Sequence, residues 1–280
     1  MIFKKMALMG LGFMVAVPLA GYGFSQAFRV RFERVGFGGL PDCLVGLRVL
    51  LISDLHGRDP EKMQGDIWPI LMGLEFDLVV VAGDVILDEA AQLRPHLEGL
   101  RGLARKAPLF YVEGNHESFC YGEISRMIEG LGGIALHNRQ GLFSVGAVKQ
   151  GRSPVVSVVG FRDYYWQRRD RFRTARRLID GLDRGFHIIL SHQPQIFDLL
   201  RQENLSGLVL AGHTHGGQLR LPFMPTLYAP GQGPFPRYGD GIYSNNHLKM
   251  YVSRGVGATH FSLRLFNPPE VSLIELSRKD

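Results

Sequence analysis

Short apolar runs rich in β-branched residues alternate with amphipathic stretches along most of this 280-residue chain. The runs are LRVLLIS (47–53), DLVVVAG (77–83), PLFYVEG (108–114), VVSVVG (155–160), FHIILSH (186–192) and GLVLAGH (207–213). Their length and composition predict strands. The stretches 61–74, 88–105, 121–131, 168–181 and 194–200 predict helices, the last with Pro194 in its first turn, where a missing N–H is tolerated. Strands apolar on both faces and separated by helices imply an α/β fold with a largely parallel sheet. The tail breaks the alternation. QLRL, KMYVSRG and VSLIEL read as strands without clear helices between them, and predict a second sheet.

The N-terminus has no such pattern. After Lys4 and Lys5, the run from Met6 to Phe28 carries no charged residue. About 20 apolar residues span a bilayer, so this run is long enough. It reads as an uncleaved membrane anchor; a cleaved signal peptide with Ser25-Gln26-Ala27 as a weak cleavage site is the alternative. The chain therefore divides into an anchor or signal segment, 1–28, and a catalytic domain, 29–280. No linker separates them, because RVRFERV (29–35) already reads as a strand. Lys4 and Lys5 on one side nearly balance Arg29, Arg31 and Arg34 on the other, which leaves the side of the membrane open.

Charge and cysteine content narrow the class. A formal net charge of +6 favours anionic partners: phosphates, acidic lipid surfaces or nucleic acid. Cys43 and Cys120 form no disulfide framework and are expected to be small buried hydrophobes.

The chemistry lies where the strands stop. The first run ends in Asp54 and His56, the second in Asp84, and the third in Asn115 and His116. A later run ends in His192, and the next in His213 and His215. Ligands of open α/β sheets bind beyond the carboxyl ends of the strands, so these residues would converge there. Asp54 and His56 stand at i and i+2, as do His213 and His215, and an extended chain points such pairs to one side. A donor set of oxygen and nitrogen without thiolate suits Mn²⁺, Fe or Zn²⁺, and so many donors suggest two ions.

D-x-H, G-D, G-N-H-E, S-H and G-H-T-H in this order resemble the calcineurin-like metallophosphoesterase family, from about Leu47 to the end of the chain. GHTHGGQLRLPF, YVSRG and NPPEVSLIEL resemble a bacterial membrane-associated or exported branch. That branch includes YkuE-type phosphodiesterases and the chlamydial type of UDP-2,3-diacylglucosamine pyrophosphatase. The resemblance implies a four-layer sandwich, two mixed β-sheets flanked by helices. It implies Asp54, His56 and His215 on one metal, Asn115, His192 and His213 on the other, and Asp84 bridging them, with manganese expected and iron or zinc as alternatives. His116 would stand just outside the metals, assisting the transition state or protonating the leaving oxygen. Glu117 occupies a place where many members have Asp.

Other features are less specific. Residues 162–182 place many arginines around Tyr164, Tyr165, Trp166 and Phe172, with Phe172, Ala175, Ile179 and Leu182 on one helical stripe. This reads as a solvated basic face, or as a helix meeting phosphate head groups. The Pro-, Gly- and aromatic-rich stretch 221–241 follows the last metal motif and reads as a cleft wall or a packed loop. His96, His137, His187, His247 and His260 read as structural, though His260 and Arg254 lie in the region that resembles the branch signature and could approach the site.

The expected function is a membrane-associated, dinuclear metal-dependent phosphoesterase. It would cleave a phosphodiester or pyrophosphate in an amphiphilic, lipid-linked substrate, with a UDP-2,3-diacylglucosamine-type molecule as the sharpest candidate. An exported phosphodiesterase acting on cell-envelope polymer or phospholipid is the alternative, followed by a nuclease or nucleotide phosphodiesterase. Nucleic acid is not the expected partner, since no recognisable nucleic-acid module accompanies the site. A non-catalytic scaffold would show a broken donor set, and this set is whole.

Overall fold

A computed structural model describes residues 27–144, 155–162, 169–217, 220, 226–257 and 264–279. Two six-stranded sheets carry the fold. The first has the order β1 (Arg29–Phe37), β14 (Glu270–Arg278), β2 (Arg48–Ile52), β3 (Leu78–Ala82), β4 (Leu109–Val112) and β5 (Ile134–Ala135). The second has the order β12 (Gly241–Asn245), β13 (Leu248–Val252), β9 (Ser206–Ala211), β8 (Phe186–Leu190), β7 (Val155–Gly160) and β6 (Arg139–Ser144). A small hairpin, β10 (Tyr228–Ala229) and β11 (Gly233–Pro234), stands apart.

Strand alternation builds the layers. Val49, Leu51, Val80, Phe110 and Val112 of the first sheet share one core with Val158, Ile188, Leu190, Leu208 and Leu210 of the second. Their neighbours Leu50, Ile52, Val79, Val81 and Tyr111 face the other way, onto Met63, Ile67, Trp68, Leu100, Leu103, Ile124 and Ile128 of the helices. On the far side, Val159, Ile189, Val209 and Val252 pack on Ala175, Ile179, Ile196 and Phe197. The result is a four-layer helix–sheet–sheet–helix sandwich. Each fully buried Leu or Ile in it contributes about 1.5–3 kcal/mol through lost apolar surface.

The predicted helices form with local distortions. The first contains a π-turn over Met63–Ile67 before the helix Trp68–Met72. Pro69 near its start has no N–H to give the carbonyl four residues back, which accounts for the irregular turn. The others settle at Leu97–Lys106, Tyr121–Gly130, Arg169–Asp180 and Ile196–Leu200. Ala175 and Ile179 of the arginine-rich helix are buried, as the apolar stripe requires. Arg176 is held by Asp180 at 2.9 Å and Glu203 at 2.6 Å, which favours the solvated, ion-paired reading of that face. Tyr164, Tyr165 and Trp166 lie outside the described residues.

Two expectations are corrected. The tail strands do not make a sheet of their own. β14 inserts between β1 and β2, parallel to the first and antiparallel to the second, while β13 joins β9. The βαβ strands divide between the two sheets, because pairing is settled by non-local partners and not by sequence order. QLRL falls largely outside the described residues. Cys43 is exposed, since its short turn Asp42–Leu44 buries only Leu44; Cys120 is half-buried. Among the described residues no helix is long and apolar enough to cross a membrane, and the run Met6–Phe28 falls almost wholly outside them.

Candidate metal centre

Loops after β2, β3, β4, β8 and β9 meet at one end of the sandwich. Backbone bonds hold the first two together: Asp54 N–H donates to Gly83 O at 3.0 Å, and His56 N–H to Asp84 O at 3.0 Å. In the second sheet Gly212 N–H donates to His192 O at 3.0 Å. The sheets are also joined to each other here. His192 Nδ1 donates to Ala82 O at 2.8 Å, and His213 N–H donates to Asp54 Oδ1 at 3.0 Å.

The chain turns sharply at these positions. Asp54, His56, Asp84, His213 and His215 all have φ between 48° and 71°, the left-handed region. They are not in the extended geometry expected from their i, i+2 spacing; they reach the same place through tight turns. For residues other than glycine this conformation costs on the order of 1 kcal/mol or more, and such strain concentrates at functional sites. Neighbouring glycines make room. A Cβ on Gly114 would lie 2.1 Å from Asp84 Oδ1 and 2.4 Å from Asp84 N. Gly114→Ala should therefore displace Asp84 and lose bound metal, read as metal per chain and as a lowered melting temperature.

Three donor groups result among the described residues, and one of them, His56, Asp84 and His116, overlaps the other two. Asp54, His56 and His215 form one trio, and Asp84, His192 and His213 another. In the first, His56 Nε2 and His215 Nε2 are 3.1 Å apart, and His215 Nε2 is 3.6 Å from Asp54 Oδ1. In the second, His192 Nε2 lies 3.2 Å from His213 Nδ1 and 3.0 Å from Asp84 Oδ2. Asp84 Oδ2 is also 3.7 Å from His56 Nε2, so this one carboxylate reaches both trios. Asn115 Oδ1 is buried with no hydrogen-bond partner, and the next residue, His116, gives its backbone N–H to Asp84 Oδ1 at 3.0 Å. Convergent nitrogen and carboxylate lone pairs with an orphaned amide oxygen fit two cations. The Ala82 carbonyl engages Nδ1 of His192, and Nε2 is the ring atom turned to Asp84 and His213.

Burial sets the protonation. It pushes the His56 imidazole down to about 4, against the pull of Asp84, and His213 down to about 3, with His192 adding to the shift. His215 is also driven well down by burial, by His56 and by Arg264. Burial would raise the Asp84 carboxyl, but the attraction of His192, His56 and His116 outweighs it and holds the group well below the usual range. Asp54 is pushed up to about 6, by burial first and by Asp84. A metal must displace that proton below pH 6, whereas Asp84 is ionised throughout. Metal-free protein should therefore bind metal more weakly as pH falls below about 6, where Asp54 takes up a proton that the metal must displace. Metal per chain, measured at limiting metal on both sides of that value, checks this; equal uptake at both would refute it.

Further residues brace the donors. The Glu117 carboxylate accepts N–H bonds from Asp84 at 2.9 Å, Ile86 at 3.2 Å and Gly114 at 2.5 Å, fixing the loop that carries Asp84. G-N-H-E was its only signal. Arg264 Nη2 lies 3.3 Å from His215 Nδ1, and Asn267 Nδ2 donates to His215 O at 2.5 Å; both are remote in sequence, and only Asn267 had a signal, as the first residue of NPPEVSLIEL. Arg254 does come up behind Gly216, but pairs with Asp240 at 2.8 Å. His260 lies outside the described residues. His96 is buried, and His187 contacts Ser157 Oγ at 2.6 Å, both away from the centre. Part of the stretch 221–241 is described. Its hairpin crosses the second trio, where a Cβ on Gly231 would stand 2.8 Å from His213 Nε2.

Known proteins match this arrangement. The calcineurin-like phosphoesterase family profile matches residues 47–217. The chain is 28% identical over 245 residues to the uncharacterised metallophosphoesterase YkuE of Bacillus subtilis, covering 85% of this chain and 81% of that one. It is 30% identical over 270 residues to the phosphodiesterase YaeI of Escherichia coli, covering 92% and 93%. A solved structure, the sulfate thiohydrolase SoxB of Thermus thermophilus, superposes with a TM-score of 0.44 at 13% identity, covering 85% of this chain and 58% of that one.

Proposed function

This chain belongs to the calcineurin-like phosphoesterase family, and we propose that it hydrolyses a phosphodiester or pyrophosphate in an amphiphilic, lipid-linked substrate at a membrane surface. The family is dinuclear and metal-dependent, and the protein is a metal-dependent phosphoester hydrolase. In our reading Asp54, His56 and His215 hold one ion, Asn115, His192 and His213 the other, and Asp84 both. Two divalent ions so held supply paired positive charge to the phosphoryl group and lower the pKa of an attacking water.

The chain's own residues do the rest. His116 Nδ1 lies 2.6 Å from Leu87 O, an atom that can only accept, so Nδ1 carries the proton. Nε2 is then turned to the centre, 3.9 Å from Asp84 Oδ2; in the imidazolium, with a second proton on Nε2, it passes that proton to a leaving oxygen and is left as the neutral Nδ1–H ring. Glu117 keeps Asp84 in place through the backbone.

The observation that carries the amphiphilic reading is the charge-free run Met6–Phe28, which leads into β1 without a linker. A UDP-2,3-diacylglucosamine-type pyrophosphate is the sharpest candidate substrate. The test is turnover by the full-length protein of that pyrophosphate, a phospholipid, a small chromogenic phosphodiester and a single-stranded oligonucleotide. The highest kcat/KM should fall on a lipid-linked substrate. Preference for the oligonucleotide would replace this reading with a nuclease.

A further inference from the structure

We propose that the loop rim around the metal centre is the face this protein turns toward an anionic phospholipid bilayer, so that the catalytic mouth opens onto the membrane. The inference rests on the reading of residues 1–28 as a membrane segment, and adds an orientation which that reading leaves open.

Strand direction carries it. β1 runs parallel to β14, from Arg29 opposite Glu270 to Phe37 opposite Arg278. β14 runs antiparallel to β2, with Ser272 opposite Leu51 and Glu275 opposite Arg48. β1 therefore begins at the end of the sheet where β2 finishes, and β2 finishes at Asp54. The local contacts agree. Arg29 N–H donates to Pro269 O at 3.0 Å, and Glu270 N–H to Gly255 O at 3.0 Å. A Cβ on Gly255 would stand 2.6 Å from the Cβ of Asp54. The chain thus passes from its charge-free run into the domain beside a candidate ligand. The run ends at Phe28 and the strand starts at Arg29, and one extended residue spans only about 3.5 Å. A bilayer holding that run would have the metal-site end of the sandwich next to it and the opposite end away from it.

The rim has side chains suited to that position. Phe235, Phe119 and Tyr228 are 76%, 67% and 50% exposed, and the other exposed aromatic among the described residues, Phe32, lies on β1 itself. Phe119 follows the turn Asn115–Glu117, and Tyr228 and Phe235 flank the hairpin over His213. Phe235 has φ 51°, a conformation that is a genuine outlier for a bulky residue, so the rim holds an aromatic outward at a cost. Aromatic side chains are enriched at membrane–water interfaces, where their apolar bodies sit at head-group level. The formal charge of +6 complements an anionic leaflet.

Depth measurement on the full-length protein tests this. It is reconstituted with phosphatidylcholine vesicles containing phosphatidylglycerol and a lipid-borne fluorescence quencher. Exposed Cys43, in the turn between β1 and β2, reports the far end once Cys120→Ser removes the second thiol. Phe235→Cys and, separately, Phe119→Cys report the rim, each with both native cysteines replaced by serine. Retention of two metals per chain verifies that each variant is folded. Labels at 235 and 119 should lose most of their fluorescence, while the label at 43 stays near its value without quencher. Quenching as strong at 43 as at the rim, in protein that floats with the vesicles, overturns the orientation and leaves the membrane reading intact. Failure of the full chain to float overturns both.

Discussion

Asp84→Asn should abolish turnover while the fold persists. Asp84 is the carboxylate that reaches both trios, through Oδ2 at 3.0 Å from His192 and 3.7 Å from His56. Its Oδ1 accepts the His116 N–H at 3.0 Å. Asparagine can keep that bond and the shape, but it exchanges an anionic oxygen for a neutral amide. Two cations would then share a pocket that has lost one of its two carboxylates, and at least one should leave. The fall in kcat should reach about 10³ or more, because charge stabilisation at the phosphoryl group and water activation both depend on the metal pair. The Asp84 N–H bond to Glu117 is a backbone contact and survives the change, so circular dichroism should be unaltered. A variant with full metal content and parental kcat would end the bridging assignment.

His116→Ala should give the opposite separation, with intact metal and lost chemistry. His116 is a fifth imidazole near the centre, with its ring 4.9 Å from that of His56. It could be mistaken for a ligand, since His56, Asp84 and His116 also form a compact group. Two observations set it apart. Its side chain is 23% exposed, whereas those of His56 and His192 are sealed off. The Leu87 carbonyl, which belongs to neither trio, also engages its Nδ1 at 2.6 Å. Truncation should keep two metals and lower kcat by about 10²–10⁴ for a substrate with a poor leaving group. The loss should shrink for a nitrophenolate leaving group, which departs without a proton. Loss of one metal equivalent instead would make His116 a ligand.

The chemistry of the site was legible in the chain because each candidate residue sits at the end of an apolar run, and such runs become strands buried on both faces wherever they pair. Asp54, Asp84, Asn115, His192 and His213 had to emerge at strand ends, and Gly83 and Gly114 beside them marked close backbone approach. The donor types, two carboxylates, imidazoles and one amide without sulfur, are of the kind that suits divalent ions such as Mn²⁺, Fe or Zn²⁺. What the chain could not disclose was non-local. Nothing in VSLIEL says that β14 slips between β1 and β2, and nothing in the run order says where one sheet stops and the next begins. Those choices depend on which faces meet across the common core of Val49, Leu51, Ile188 and Leu208. The backbone at the site was hidden for a related reason. Asp54 and His56 have left-handed φ because loops from two strands bond to each other, a condition that exists only after the sheet has formed. Arg264 and Asn267 reach His215 from about fifty residues away by the same route. The direction of β1, which decides which end of the sandwich the N-terminal run adjoins, likewise follows from its pairing with β14, and no property of residues 29–37 alone could have fixed it.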